Sequence, residues 1–418
     1  MVLMLPTATD NGARLAAILP TALGLLAPSR GATVAGGFAT AAGLDAERID
    51  PAISRSLAEF PHPRSLVLVV IDGLGFENLR ARAAHARELS GMSTRRLSTV
   101  IPSTTGAALT SLLTGRLPGS HGLIGYRIRH PEAGLVTTLS EWDGIRQPRE
   151  WQRATPLFER ARELGLRSVA IGRPAHATGG LTEAILRGAD YLPGPTIEDR
   201  CAIASRLLRD AEPALVYLYI DELDRAAHRD GWQSDAWLRR LEQVDAALGA
   251  LRRTLPSDTA MVVTADHGIV DVPADQRVLL DPATDALSTV AEIGGEPRFR
   301  SLYLTSGSDP EAVSHEVQQL LRKRAWVGTR DAAIDGGWFG PVAPGVAERL
   351  GDVLVVARGQ SAFLLPSDSA QAQAMVGHHG GLSDAERGVP LIWGGALDGT
   401  AFATLVGKVA LALEDERP

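Results

Sequence analysis

The amino-acid sequence predicts an α/β fold: a mostly parallel central sheet with helices on both faces and a small inserted α+β subdomain. Three observations predict it. The apolar runs Ser65 to Ile71 and Ala260 to Ala265 are unbroken, as in parallel strands buried on both faces. Such runs alternate with helical stretches along most of the chain. Between residues 291 and 350 that alternation lapses, and a strand, an amphipathic helix and a Gly-rich loop follow one another. The expected organisation is an N-terminal segment, 1–60, packed on the core; a first core part, 61–290; the subdomain, 291–350; and a returning core part, 351–418.

Composition narrows the function. The net charge of −7 argues against a nucleic-acid polymer as partner. Cys201 is the only cysteine, so no disulfide forms within the chain, and metal ligands must be His, Asp or Glu. The apolar run Leu15 to Ala27 has no basic region before it, since Asp10 precedes Arg14, and Pro20 interrupts it. A secretory signal and a membrane span are therefore not expected, and the cytoplasm is the expected compartment.

In chain order, Leu15 to Leu26 and Ile53 to Glu59 read as short helices. Ser65 to Ile71 is the first strong strand and ends in Asp72-Gly-Leu-Gly; Asn78 to Glu88 then reads as helix. Ser98 to Ile101 is extended, and Pro102 biases Ile101 away from helix. Gly106 to Leu113 turns helical, with Gly115 as a stop. Thr105 therefore stands at a helix N-terminus, where unpaired N–H groups and the positive dipole end favour a phosphoryl group or a hydroxylate. Arg116 to Arg149 is loop-rich and contains His121-Gly-Leu-Ile-Gly-Tyr126.

Further on, Leu157 to Leu164, Ile203 to Arg209 and Trp237 to Leu251 read as helices, and Ser168 to Gly172 and Leu215 to Ile220 as strands. In the subdomain, Ser301 to Thr305 is strand and Pro310 to Arg322 helix. Asp352 to Ala357 is expected as the strand that returns to the core, Val389 to Trp393 as the last strand and Phe402 to Leu413 as the last helix.

In open α/β sheets, ligands collect at the carboxyl ends of the strands. Asp72 follows the first strand, Asp266 and His267 follow the 260s strand, and Asp221, Glu222 and Asp224 follow Leu215 to Ile220. His228 lies one helical turn beyond Asp224, and His378 and His379 lie in a late Gly-rich loop. Each element alone has a plain structural reading: a turn residue, a surface ion pair, an N-cap. Together, three Asp and three His from four stretches provide for two divalent cations. Mixed carboxylate and imidazole ligands suit phosphoryl chemistry, with one ion activating the Thr105 hydroxyl and the other steadying the leaving oxygen.

Five pieces, in order, carry a resemblance: Val69-Val-Ile-Asp72-Gly, Ile101-Pro-Ser-Thr-Thr105-Gly, Leu223-Asp224-Arg-Ala-Ala-His228, Thr264-Ala-Asp266-His267-Gly and His379-Gly. Over roughly 65–415 the chain resembles the alkaline phosphatase superfamily in its nucleotide pyrophosphatase/phosphodiesterase branch. The resemblance implies an alkaline-phosphatase-like three-layer sandwich and a two-zinc site. It places Asp72, Thr105, Asp266 and His267 on one ion and Asp224, His228 and His379 on the other. Asp224 is chosen over Asp221, and His379 over His378, because they match the family's spacing.

The implied reaction is hydrolysis of a phosphate diester or pyrophosphate bond in a small phosphorylated substrate, through a phospho-threonine at Thr105. A phosphomonoesterase, a phosphonate hydrolase and a non-catalytic binder of phosphorylated ligands are the alternatives. The chain departs from the family at Tyr126, where nucleotide-cleaving members carry an Asn that holds a phosphoryl oxygen. This makes Tyr126 the expected substrate-binding residue. No arginine is assignable as a phosphate clamp, although Arg127 and Arg129 are near enough in sequence to supply one.

Overall fold

The computed structural model describes residues 5–415, apart from residues 9, 46, 48, 141 and 211. Its centre is a seven-stranded sheet in the order Ser93–Ser98, Gly388–Gly395, Thr259–Thr264, Ser65–Ile71, Ala214–Ile220, Arg167–Gly172 and Asp190–Pro193. Ser65–Ile71 sits in the middle, with Val69 opposite Leu218 on one side and Val263 on the other, both parallel. Only Gly388–Gly395 runs against its two neighbours.

All seven residues of Ser65–Ile71 are buried. Side chains alternate between faces, so this requires helices on both, as the apolar run predicts. One helical group contains Ala13–Leu26, Thr105–Thr114, Leu157–Glu163 and Phe402–Asp415; the other contains Ile197–Arg209 and Asp235–Thr254.

The described part of residues 1–60 packs against the core. Ala13–Leu26 is buried along almost its whole length, Pro20 included. Val34–Ala42 is an additional helix that the sequence reading omitted. No helix among the described residues is long and apolar enough to cross a membrane.

The helix expected over Asn78 to Glu88 is broken into Phe76–Ala81, a single turn Ala83–His85, and Arg87–Ser90. Tertiary capping accounts for the break: the Asp245 carboxylate accepts from the N–H groups of Glu88 at 3.1 Å and Leu89 at 2.9 Å, which starts a new helix there. The extended run placed at Ser98 to Ile101 lies earlier, in the edge strand Ser93–Ser98, whose Thr94, Arg95 and Arg96 give it no apolar signature.

Residues 290–296, 299–304, 353–357 and 325–329 form a second, antiparallel sheet in that order, covered by the helix Pro310–Leu321. Val353–Ala357, expected as the return to the core, is therefore a central strand of the subdomain; the chain rejoins the main sheet only at Gly388–Gly395. The physical reason is shared burial. Leu354 and Val356 pack into the main core, while Val353, Val355 and Ala357 pack into the subdomain's own core. A strand between two cores is apolar on both faces, and so has the sequence pattern of a central parallel strand.

Candidate metal centre

Three neighbouring parallel strands end on one edge of the sheet, and each delivers an acid there. Asp72 directly follows Ser65–Ile71. Asp266 and His267 follow Thr259–Thr264. Asp224 and His228 lie one turn apart on the helix Glu222–Asp230, which begins after Ala214–Ile220. Gly73 holds a φ of +71°, and a Cβ there would stand 2.9 Å from Asp224 Oδ1, so only glycine lets the first turn approach the third acid this closely.

Thr105 is the first residue of the helix Thr105–Thr114, with Thr104 extended before it as the cap. Ser103 fastens this turn to the late loop. It bridges to Gly380, its hydroxyl donates to Gly381 O at 2.9 Å, and its carbonyl accepts from His379 Nδ1 at 2.9 Å.

Two groups of side chains result, and within each the ligand-capable atoms lie within 4.8 Å of one another: Asp72, Asp266 and His267 in one, Asp224, His228 and His379 in the other. Thr105 Oγ1 stands 3.1 Å from His267 Nε2. That nitrogen is 3.3 Å from Asp72 Oδ1 and 3.5 Å from Asp266 Oδ2, and His228 Nε2 is 3.2 Å from Asp224 Oδ2. Every residue expected to act as a ligand is thus in one of the two groups or beside it.

The donors suit divalent cations. All three imidazoles commit Nδ1 to a backbone carbonyl: His228 to Gly377 at 2.8 Å, His267 to Gly268 at 3.1 Å and His379 to Ser103 at 2.9 Å. This orients each ring and leaves Nε2 facing the group. Asp266 Oδ1 accepts from the N–H groups of His267 and Gly73, at 3.0 and 3.2 Å. Tyr219 donates its hydroxyl to Asp72 Oδ2. The remaining oxygens, Asp72 Oδ1, Asp266 Oδ2 and Asp224 Oδ1, are buried with no hydrogen-bond partner. Leaving a charged group in that state is costly unless a cation meets it.

The crowding of buried acids and imidazoles shifts their protonation equilibria. Burial, with repulsion from Asp266 and Asp224, raises the Asp72 pKa well above the carboxylate range. Burial also pushes Asp224 up, but His228 outweighs it and the net shift is downward. Burial lowers His228, and Asp224 more than reverses that, to about 9. Burial and the neighbouring His267 and His228 push His379 well below its ordinary value.

Two residues weighed as ligands stand outside the groups. Asp221 Oδ2 is paired with Arg173 at 2.8 Å. The His378 ring meets Met375 O at 3.1 Å, and burial pulls its pKa down to about 3. Tyr126 is half-buried and lines the same cavity of about 790 Å³ that contains Thr105, Asp72, Asp224, His228 and His379. Its carbonyl accepts from Thr138 N at 2.8 Å, which closes the turn.

Sequence reasoning missed Tyr219 and Glu296. Tyr219 carried a readable signal: Tyr217 and Tyr219 share one strand face and stack at 6.2 Å, just before the acidic turn. Glu296 carried none. It reaches the centre from the subdomain, 3.6 Å from His379 Nδ1, and burial raises its pKa to about 8.

The family model for type I phosphodiesterase / nucleotide pyrophosphatase matches residues 66–382. A venom phosphodiesterase of Crotalus durissus collilineatus is 26% identical over 251 residues, 56% of this chain. Ectonucleotide pyrophosphatase/phosphodiesterase family member 3 of Rattus norvegicus is 23% identical over the same length. The matched part is 30% of the first relative's length and 28% of the second's, so this chain spans well under two thirds of either. Two solved structures share the fold. Murine ectonucleotide pyrophosphatase/phosphodiesterase 5 has a TM-score of 0.63 and 19% identity, covering 78% of this chain and 87% of that one. Phosphonoacetate hydrolase from Sinorhizobium meliloti 1021, in complex with phosphonoacetate, has 0.62 and 20%, covering 85% and 97%.

Proposed function

Since the chain belongs to the type I phosphodiesterase / nucleotide pyrophosphatase family, we propose that it is a metal-dependent hydrolase of phosphate diester or pyrophosphate bonds with Thr105 as nucleophile. The observation that carries this reading is the position of Thr105 Oγ1, at a helix start and 3.1 Å from His267 Nε2, beside two buried groups of carboxylates and imidazoles. Asp72, Thr105, Asp266 and His267 would hold one divalent cation and Asp224, His228 and His379 the other. With zinc bound, the pair would supply Lewis-acid stabilisation to the Thr105 alkoxide and to the leaving oxygen.

The chain's own residues do the rest. The helix N-terminus behind Thr105 favours negative charge at Oγ1 and on the phosphoryl oxygens. Thr105 attacks phosphorus in line, the bond to the leaving alcohol breaks, and the phosphoryl group stays on Thr105 until water displaces it. The carbonyls of Gly377, Gly268 and Ser103 keep the imidazoles oriented throughout.

Incubation of the zinc-loaded protein with bis(4-nitrophenyl) phosphate tests the reading. Release of nitrophenol, and a phosphorylated Thr105 peptide after acid quench, are expected. Absence of both in protein carrying two zinc ions would overturn it. A second reading, cleavage of a monoester or of a C–P bond, is favoured by Tyr126, which lines the cavity where the family resemblance expects Asn. 4-Nitrophenyl phosphate and phosphonoacetate in the same assay decide between the two.

A further inference from the structure

The cavity carries three arginines, and they differ in what they are doing. Arg300 is buried, with Nη2 donating to Asp368 Oδ2 at 2.7 Å and Nε to Phe363 O at 2.8 Å. Arg127 and Arg225 are exposed at the rim, and among the described residues neither has a carboxylate partner. Arg129, the other arginine near Tyr126, is committed elsewhere. It pairs with Glu292 at 2.6 Å and lies over the Tyr303 ring at 4.0 Å.

Arg127 is held in place by its backbone. It pairs with Thr137 across the hairpin Arg127–His130/Gly134–Thr137. That hairpin packs on the subdomain strand Val290–Glu296 so closely that a Cβ on Gly294 would fall 2.6 Å from Arg127 O. The hairpin therefore fixes Arg127 at the rim of the cavity that Tyr126, Glu296, Arg300 and Thr105 also line. Burial lowers the Arg300 pKa; Asp368 and Glu296 oppose that shift, and repulsion from Arg127 adds a smaller contribution to it.

We propose that Arg127 binds a second negative charge of the substrate, next to the phosphoryl group that reacts. The favoured substrates are then pyrophosphate-linked esters or carboxylated phosphonates rather than simple diesters with one charge. This rests on the phosphohydrolase reading above and narrows it. Arg225 lies on the ligand-bearing helix Glu222–Asp230 and not on this hairpin. It serves as the comparison for a rim arginine without that role.

The test compares kcat/KM of the zinc-loaded wild type, Arg127→Ala, Arg127→Lys and Arg225→Ala on three substrates. Bis(4-nitrophenyl) phosphate carries one charge. A dinucleoside diphosphate carries its second charge on a neighbouring phosphoryl group, and phosphonoacetate carries further charge on a carboxylate. Arg127→Ala is expected to reduce kcat/KM on whichever two-charge substrate the wild type turns over by about tenfold or more beyond any change on bis(4-nitrophenyl) phosphate. The loss should fall mainly on KM, be partly restored in Arg127→Lys, and shrink as ionic strength rises. An equal change on all substrates, or the selective loss appearing in Arg225→Ala instead, would overturn the assignment and leave the phosphohydrolase intact. A zinc-loaded wild type that turns over none of the three would overturn the underlying reading, and this proposal with it.

Discussion

His267 and His379 lie face to face, with ring centroids 3.6 Å apart and planes 12° from parallel. One belongs to each group of candidate ligands, so the stack joins the two halves of the centre. Both rings spend Nδ1 on a backbone carbonyl and keep Nε2 for the site. Burial and the neighbouring His267 hold His379 well below its ordinary pKa, toward the neutral form in which histidine binds metals.

Metal content follows directly. Purified protein should hold close to two zinc ions per chain by elemental analysis, and exhaustive chelation should abolish turnover. His267→Ala should deplete the Asp72–Asp266 side and His228→Ala the Asp224–His379 side. Full activity in metal-free protein would end the two-metal reading.

Thr105→Ala should cut turnover by several orders of magnitude while the zinc content holds, because covalent catalysis is lost. Thr105→Ser should keep part of the rate. Near-normal turnover in Thr105→Ala would move attention to Thr104, whose hydroxyl is also buried in this turn.

Tyr126→Phe keeps the ring on the cavity wall and removes the hydroxyl. If that hydroxyl meets a phosphoryl oxygen, kcat/KM should fall by roughly ten- to a few-hundredfold. Unchanged kinetics would reduce Tyr126 to a packing role.

The Arg298–Glu386 pair should prove structural and far-reaching. Both side chains are completely buried and meet at 2.6 Å; Glu386 also accepts at 2.8 Å from the N–H of Gly381, two residues beyond His379. Arg298→Met should cost about 3–5 kcal/mol in urea unfolding, since it strands a buried carboxylate. Zinc should be lost preferentially from the Asp224–His228–His379 side. The double variant Arg298→Met/Glu386→Leu should recover part of the stability; failure to do so would argue against the stranded charge as the cause.

Acid should destabilise the fold partly through His121. Its ring is fully buried, 2.9 Å from Ser111 Oγ, and burial lowers its pKa to about 3 against 6.5 for an ordinary histidine. The unfolded chain binds this proton first as the pH falls. Stability is therefore complete above pH 6.5 and is lost progressively toward pH 3. Between pH 6.5 and 5 this one group accounts for about 2 kcal/mol. Chemical denaturation of His121→Gln at pH 7 and pH 5 should show a shallower loss than wild type. Identical slopes would assign the acid sensitivity to other groups.

Much of the centre was legible because its geometry is written in short spacings. Asp224 and His228 are one helical turn apart; Asp72 and the Asp266–His267 pair stand where apolar runs stop. The choice of Asp224 over Asp221 came from the family resemblance, in which the Asp and His are one helical turn apart. What was not legible depends on contacts between distant segments. Glu296 reaches His379 only because the subdomain folds against the loop. Val353–Ala357 was misplaced because no local pattern distinguishes a strand shared by two cores from one inside a single sheet.

The Ser103–Gly380 bridge has a consequence for how the centre comes into being. It ties the turn before Thr105 to the loop of His379, and the Ser103–His379 bond spans 276 positions. In a chain made from its N-terminus, Asp72, Asp266 and His267 are all present long before His379 is synthesised. The group of Asp224, His228 and His379 cannot be complete until the subdomain and the loop beyond it have been made. A nascent chain halted before Gly377 would own one set of ligands and be unable to complete the second.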